Sequence, residues 1–233
     1  VRLIEARNNA TLGRSAAALV AATNRYKTWF RLVRTHGHPR RCGTVVTAAT
    51  EVQMGIMIPA WVEGELTPVD KLEAHEKGLK HKAVSVFVVR GTEILLQRRA
   101  LGKYHTPGLW ANTCCTHPDW DENSSDCAVR RLSEELGVTG LYPEYRHRLE
   151  YHADVGNGMI ENEVVDVFLA HTRRPLEIKP NPDEVMEIRW IDYHDLLAEV
   201  RRHPARFTPW LKIYLQNHAD TIFGPDLIIS AKT

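Results

Sequence analysis

The run Arg130-Arg-Leu-Ser-Glu-Glu-Leu-Gly137 places Arg131, Glu134 and Glu135 at i, i+3 and i+4, so on a helix their side chains share one face. Carboxylates gathered there can hold a hard divalent cation, and such a cation can neutralise a diphosphate. The same pattern also describes a solvated Arg/Glu helix face, the commoner meaning of surface charge of this kind. A second chemistry comes from cysteine, whose free thiol is mostly protonated at neutral pH and can lend or take a proton once its surroundings tune it. A third comes from Glu163, at the start of an apolar strand pattern, where burial raises a carboxylate's pKa and makes it a usable proton donor. A solvated Glu at a strand edge would do nothing of the kind.

Elements must hold these groups in place. Ser124 or Ser125 can cap a helix running to about Leu136, with Ala128, Val129, Leu132 and Leu136 as its apolar stripe and Gly137 as its stop. Ala83 to Arg90 alternates in β-branched and aromatic residues, Arg90-Gly91-Thr92 turns, and Glu93 to Arg99 returns, which predicts a hairpin. Trp61 to Leu66 reads as a strand and turn, Val69 to Lys80 as a short polar helix or loop, and residues 101 to 121 as loop. Further strands are expected at 163–170 and 185–191, and helices at 192–202 and 209–217. The result is a mixed α+β domain.

The 233 residues are 43% hydrophobic and 25% charged, ordinary values for a soluble globular protein with a sizeable core. No run of about 18 apolar residues exists, the Ala-rich stretch Ser15 to Ala22 being short and flanked by Arg14 and Arg25; a membrane span is not expected. The formal charge of +1 hides an asymmetry, because residues 1–50 carry nine Lys/Arg against one acid and the remainder is left at −7. A basic extension over 1–50, possessing only a weak pattern from Ala16 to Arg34, is therefore expected to precede a domain over 51–233. Such an opening is also similar to a transit peptide, which leaves an organelle open beside the cytoplasm. Four cysteines, two of them adjacent, do not make a disulfide scaffold; a reducing compartment fits, with a monomer as the default.

The wider sequence gives the 130–137 segment a context. It resembles the Nudix box, with Glu122 upstream at the matching spacing, but Thr116 stands where the box has glycine and Arg131 where Nudix hydrolases have a metal-binding glutamate. Replacing that carboxylate by a cation weakens the metal cluster that activates water. Asn112-Thr-Cys-Cys-Thr-His-Pro118, Glu161-Asn-Glu163, Lys71-Leu-Glu-Ala-His75 followed by His81, Arg98-Arg-Ala-Leu-Gly-Lys103 and Phe207-Thr-Pro-Trp210 resemble one branch of that superfamily, the type I isopentenyl-diphosphate Δ-isomerases. The resemblance runs from about Trp61 to His218 and gives no account of residues 1–50.

The resemblance implies a Nudix-type α/β/α sandwich with a mixed sheet. It implies conversion of isopentenyl to dimethylallyl diphosphate, the allylic starter of isoprenoid synthesis, by protonation, a tertiary carbocation and deprotonation. Carried over by position, Cys115 and Glu163 are the two proton-exchanging groups, and the buried-hydrophobe reading of a lone cysteine suits Cys114 and Cys127 better. Tyr151 hydrogen-bonds Glu163, and Trp210 faces the hydrocarbon end, where an indole can stabilise a carbocation by on the order of 2 kcal/mol. His75, His81, His117, Glu161 and Glu163 form a metal set compatible with Mn²⁺, Zn²⁺ or Mg²⁺. A second Mg²⁺ bridges the diphosphate and Glu135, while Lys71, Arg99, Lys103 and Arg131 hold its oxygens. No flavin, nucleic acid or membrane is implied. The rivals are a Nudix diphosphate hydrolase using Glu122, Glu134 and Glu135, and a non-catalytic Nudix-like module that binds a partner or nucleic acid through the basic first 50 residues.

Overall fold

The structure is a computed structural model and describes residues 55–229. The basic segment 1–50, with its Ala16 to Arg34 pattern and Cys42, lies outside the described residues. The chain then opens with a hairpin of β1 (Met57–Val62) and β2 (Glu65–Asp70), the strand and turn expected around Trp61. Asp70 ends β2 and caps α1 (Lys71–Glu76), accepting from the backbone N–H groups of Leu72 and Glu73 at 2.9 and 3.2 Å. These are donors that a helix's first turn cannot satisfy internally.

The expected hairpin of β3 (His81–Arg90) and β4 (Glu93–Arg99) forms, but the strands share only the pairs Val89↔Ile94 and Arg90↔Glu93 before they splay. Residues 110–116 fill the opening. Here β5 (Trp110–Ala111) pairs with β4 and β6 (Cys114–Thr116) with β3. The loop expected over 101–121 is thus partly strand, because pairings of two and three residues are too short to leave a period in the sequence. Between them the buried Thr113 hydroxyl donates to the Leu95 carbonyl at 2.6 Å and accepts from the Val88 N–H at 2.8 Å, joining the diverging strands.

Next comes α2 (Ser124–Leu136), whose Cys127, Ala128, Leu132 and Leu136 pack on Val84, Val86 and Val88 of β3. Its cap is Asn123 rather than either serine, with Oδ1 accepting from the Asp126 N–H at 2.9 Å. Val129 is exposed and not part of the stripe, since it lies one residue, or 100°, around from Ala128. Gly137 ends the helix at φ 65°, and a Cβ there would stand 3.0 Å from the Lys179 carbonyl oxygen.

Two long strands follow, β7 (Glu144–Gly156) antiparallel to β8 (Met159–His171), and β8 runs parallel to β3 from His81↔Glu163 to Val89↔His171. β9 (Val185–Asp192) adds antiparallel to β4, completing one mixed sheet. The expected helices are α3 (Tyr193–Arg202) and α4 (Pro209–Asn217), joined by α5 (Ala219–Ile229), which is kinked at Gly224-Pro225. Their buried side chains pack with Phe87, Val89, Val165 and Val167 on the face opposite α2. Helices therefore cover both faces of the sheet, the α/β/α sandwich expected. Among the described residues, no helix is long and apolar enough to cross a membrane.

Strand alternation now decides where chemistry can sit. Odd-numbered positions of β3 (Ala83, Phe87, Val89) and β8 (Val165, Val167, Leu169) face the α3–α5 layer. His81, Ser85, Glu161 and Glu163 share that parity and therefore that face.

Thr113→Val keeps the shape of the joint but strands a buried N–H and a buried C=O. Destabilisation of about 1–3 kcal/mol is expected, read as a lower urea midpoint at unchanged slope. An unchanged midpoint would show that the joint contributes nothing.

Candidate active site

The site begins with α1, where the six-residue helix sets Lys71 and His75 one turn apart and His75 Nδ1 donates to the Lys71 carbonyl at 2.6 Å. His81, at the start of β3, donates from Nδ1 to the Leu79 carbonyl at 2.7 Å. Both bonds fix the tautomer, leaving an Nε2 lone pair aimed inward. Each of these Nε2 atoms is buried and has no hydrogen-bond partner among the described residues. His117, just past β6, presents Nε2 at 3.1 Å from Glu163 Oε1, while His81 Nε2 lies 3.6 Å from the same oxygen. Donor atoms of His75, His81, His117 and Glu163 all fall within 4.8 Å of one another.

Unpartnered imidazole nitrogens around a carboxylate fit a divalent metal, and second bonds from ring N–H to backbone carbonyl are how such ligands are oriented. Burial and the nearby His81 lower His75 to about 4, and burial holds His117 well below its usual range. Neutral imidazole is the form that ligates. Glu161 belongs to a second group with His75 and His105, its Oε1 lying 3.5 Å from His105 Nε2. The five-residue set implied by the resemblance is therefore drawn together as four residues, with Glu161 beside them and His105 added.

Tyr151 of β7 links the two glutamates, its hydroxyl lying 2.6 Å from Glu161 Oε2 and 2.6 Å from Glu163 Oε2. One phenolic hydrogen serves one acceptor, so the second short contact needs a carboxylic acid proton. Burial and the adjacent Glu163 push Glu161 well above the usual carboxylate range. Burial also acts upward on Glu163, but the hydrogen bond from His117 and the nearby His81 outweigh it and hold this carboxylate well below. The expectation of a burial-raised Glu163 is thus corrected: burial raises Glu161, and the histidines keep Glu163 charged. Glu161, Tyr151 and Glu163 then form a hydrogen-bonded chain.

The thiol lies across β3 from this chain. Register pairs Ser85 with Cys115 on one side of β3, as it pairs His81 with Glu163 on the other. Cys115 Sγ donates to Asn112 Oδ1 at 2.8 Å and lies 3.1 Å from Ser85 Oγ, which is 2.9 Å from the Tyr214 hydroxyl. Asn112 is itself oriented by donating to the Val86 and Cys114 carbonyls, both at 3.1 Å. Burial pushes the Cys115 thiol up, so it carries its proton. Cys114 and Cys127 are buried in the α2 layer, as expected of packing residues.

Cationic side chains gather at the same cleft. Lys71, Arg99, Lys103 and Arg131 all line it, together with Cys115, Tyr151, Glu161, Glu163 and Trp210. Burial, then repulsion from Lys103, Arg131 and Arg99, lowers Lys71 to about 8. An anion bound among these cations would offset their repulsion. Trp210 enters from α4, where Thr208 N–H bonds the Trp110 carbonyl at 2.9 Å and Pro209 opens the helix. It is buried, edge-on to His105 at 6.0 Å and 5.3 Å from the Arg99 guanidinium.

The α2 carboxylates behave differently. Glu122 is held by Arg130 through two contacts of 2.6 Å, and Glu134 pairs with Arg130 and Arg131 at 3.0 and 2.9 Å. Glu135 is buried between Gln97 at 3.0 Å and Arg131 at 2.7 Å, outside both histidine groups. Arginines thus neutralise the carboxylates that a hydrolytic metal cluster would use. Sequence reasoning missed His105, Ser85, Tyr214 and Tyr104, which lines the cleft edge-on to His105 at 4.4 Å; only Asn112 and Lys103 lay in a recognisable motif.

Lys71 loses its proton as pH rises through about 8 in the free protein, while a bound anion favours the charged form. Pyrophosphate affinity should therefore fall above that pH by up to about tenfold per unit relative to Lys71→Arg, which stays charged. Calorimetric titration of both proteins across this range checks it, and parallel profiles would contradict it.

Comparison with known proteins bears on the same residues. The NUDIX domain family matches residues 79–211. The isopentenyl-diphosphate Delta-isomerase of Ruegeria pomeroyi is 85% identical over 179 residues, 77% of this chain and 99% of that protein. The isomerase of the same name from Dinoroseobacter shibae is 66% identical, covering 72% of this chain and 96% of its own. Among solved structures, the DR0079 protein of Deinococcus radiodurans superposes with a TM-score of 0.51 at 14% identity, over 63% of this chain and 90% of that one, a likeness of fold alone. The chain belongs to the NUDIX family and, within it, to the isopentenyl-diphosphate Delta-isomerases.

Proposed function

We propose that residues 51–233 form one domain that interconverts isopentenyl and dimethylallyl diphosphate, residues 1–50 being an extension without catalytic duty. The observation that carries this reading is a protonated thiol, Cys115, and a charged carboxylate, Glu163, on one sheet face in a cleft that also holds four cations and an indole. Lys71, Arg99, Lys103 and Arg131 bind the diphosphate and hold the five-carbon chain in the buried part of the cleft. One of the two acid/base groups gives a proton to the terminal carbon of the double bond, and the other removes one from the carbon on its far side. Their roles exchange in the reverse reaction. Tyr151 holds Glu163 in place by hydrogen bonding, and once product has left, the proton gained by one acid/base group and that lost by the other are exchanged with solvent.

Trp210 faces the tertiary cation and stabilises it by on the order of 2 kcal/mol in a site that excludes water. His75, His81, His117 and Glu163, with Glu161 beside them, would hold a divalent ion, Mn²⁺, Zn²⁺ or Mg²⁺, which would supply positive charge favouring the ionised form of Glu163. Glu135 would meet a Mg²⁺ carried by the diphosphate. The partner is this small molecule, and we place the protein as a monomer in the cytoplasm.

Incubation with isopentenyl diphosphate and Mg²⁺ in D₂O, followed by NMR, should give dimethylallyl diphosphate carrying deuterium. Cys115→Ser and Glu163→Gln should each lower the rate by about 10²–10⁴-fold. Phosphate release without allylic product would sink the reading in favour of hydrolysis.

A further inference from the structure

Glu184 has no part in the reading above, yet it is the carboxylate that joins two of the four cleft cations. Lys103 Nζ donates to its Oε2, and Arg131 Nη2 donates to its Oε1 at 3.2 Å. The two cations come from separate elements, Lys103 from the loop after β4 and Arg131 from α2. Glu184 sits in the turn before β9, and that turn is fixed by backbone bonds independent of its side chain. Lys179 and Asn181 N–H donate to the Leu136 and Glu135 carbonyls at the end of α2, at 2.7 and 2.8 Å. Ala100 N–H donates to the Glu184 carbonyl at 2.9 Å, which ties the same turn to the loop that carries Lys103. The carboxylate is thus mounted on a brace between the two elements whose cations it meets.

Without that anion both cations have somewhere else to go. Arg131 has Glu134 and Glu135 on its own helix, at 2.9 and 2.7 Å, and these draw it back along α2. Lys103 would be repelled by Arg131 and Lys71 and has a long flexible stem with which to leave. A carboxylate that takes one hydrogen bond on each oxygen holds the two donors apart at a set spacing, so a diphosphate meets them already arranged.

We infer that Glu184 is a positioning residue for diphosphate recognition, acting through Lys103 and Arg131. The inference rests on the proposed binding of a diphosphate in this cleft. It predicts an effect on binding and not on proton transfer, since Glu184 does not line the cleft and contacts neither Cys115 nor Glu163.

The test is steady-state kinetics with isopentenyl diphosphate, and calorimetric titration with pyrophosphate in Mg²⁺, for the wild type, Glu184→Ala, Glu184→Gln and Glu184→Asp. Glu184→Ala should raise KM and weaken pyrophosphate binding by about tenfold or more with kcat within about threefold. Glu184→Asp should recover part of the loss and Glu184→Gln less, with all four proteins melting within a few degrees. Unchanged or tighter pyrophosphate binding in Glu184→Ala would overturn the inference, because the carboxylate would then only compete with the ligand. A fall in kcat at unchanged KM would overturn it too. A wild-type protein that binds pyrophosphate but does not isomerise would instead overturn the activity reading and leave Glu184 in its role.

Discussion

Two carboxylates, Glu161 and Glu163, stand buried on the same face of one strand, and the rest of the site follows from what it takes to keep them there. Burying an unpaired charge costs several kcal/mol even after relaxation, and two such charges two residues apart repel. The fold answers with Tyr151 between them and with His81, His117 and His105 against their other oxygens. One glutamate is thereby pushed toward its acid form and the other held as the base. Environments that drive paired titratable groups apart in this way are a common source of acid/base function.

β3 makes the arrangement possible. It is paired on both sides along the same stretch, with β8 carrying Glu163 on one side and β6 carrying Cys115 on the other. A strand fixed on both edges holds Cys115 and Glu163 by backbone hydrogen bonds, not by flexible loops, and the Thr113 and Asn112 side chains lock β6 into place. The cations arrive from other elements: α1, the end of β4 with its following loop, and α2. The topology thus brings the four cations to the cleft from elements other than those that carry Cys115 and Glu163.

Legibility in the sequence followed the range of the determining interactions. The β3–β4 hairpin and α2 were readable because alternation and helical period are local, and Gly137 marked the helix end as expected. β5 and β6 were not, since their short pairings exist only because β3 and β4 diverge. β7 was missed because its alternation begins only at Leu149, after an exposed polar half. Within the site, Cys115, Glu163, Tyr151, Trp210, the three histidines and the four cations were named by position relative to motifs, and the fold brings them to or beside one cleft. His105 carries no spacing signal, because the fold of its loop is what brings it to Glu161. The charge state of Glu163 was misjudged for a related reason: burial can be read from an apolar strand, whereas histidines from two other elements cannot.

Anomalous diffraction from crystals grown with Mn²⁺ tests most directly whether the buried histidine–glutamate cluster is a metal centre. A manganese peak in contact with the Nε2 atoms of His75, His81 and His117 and with Glu163 is the predicted result. No peak there, or one only among Glu122, Glu134 and Glu135 on α2, would contradict it and leave the buried carboxylates to be explained by hydrogen bonding alone.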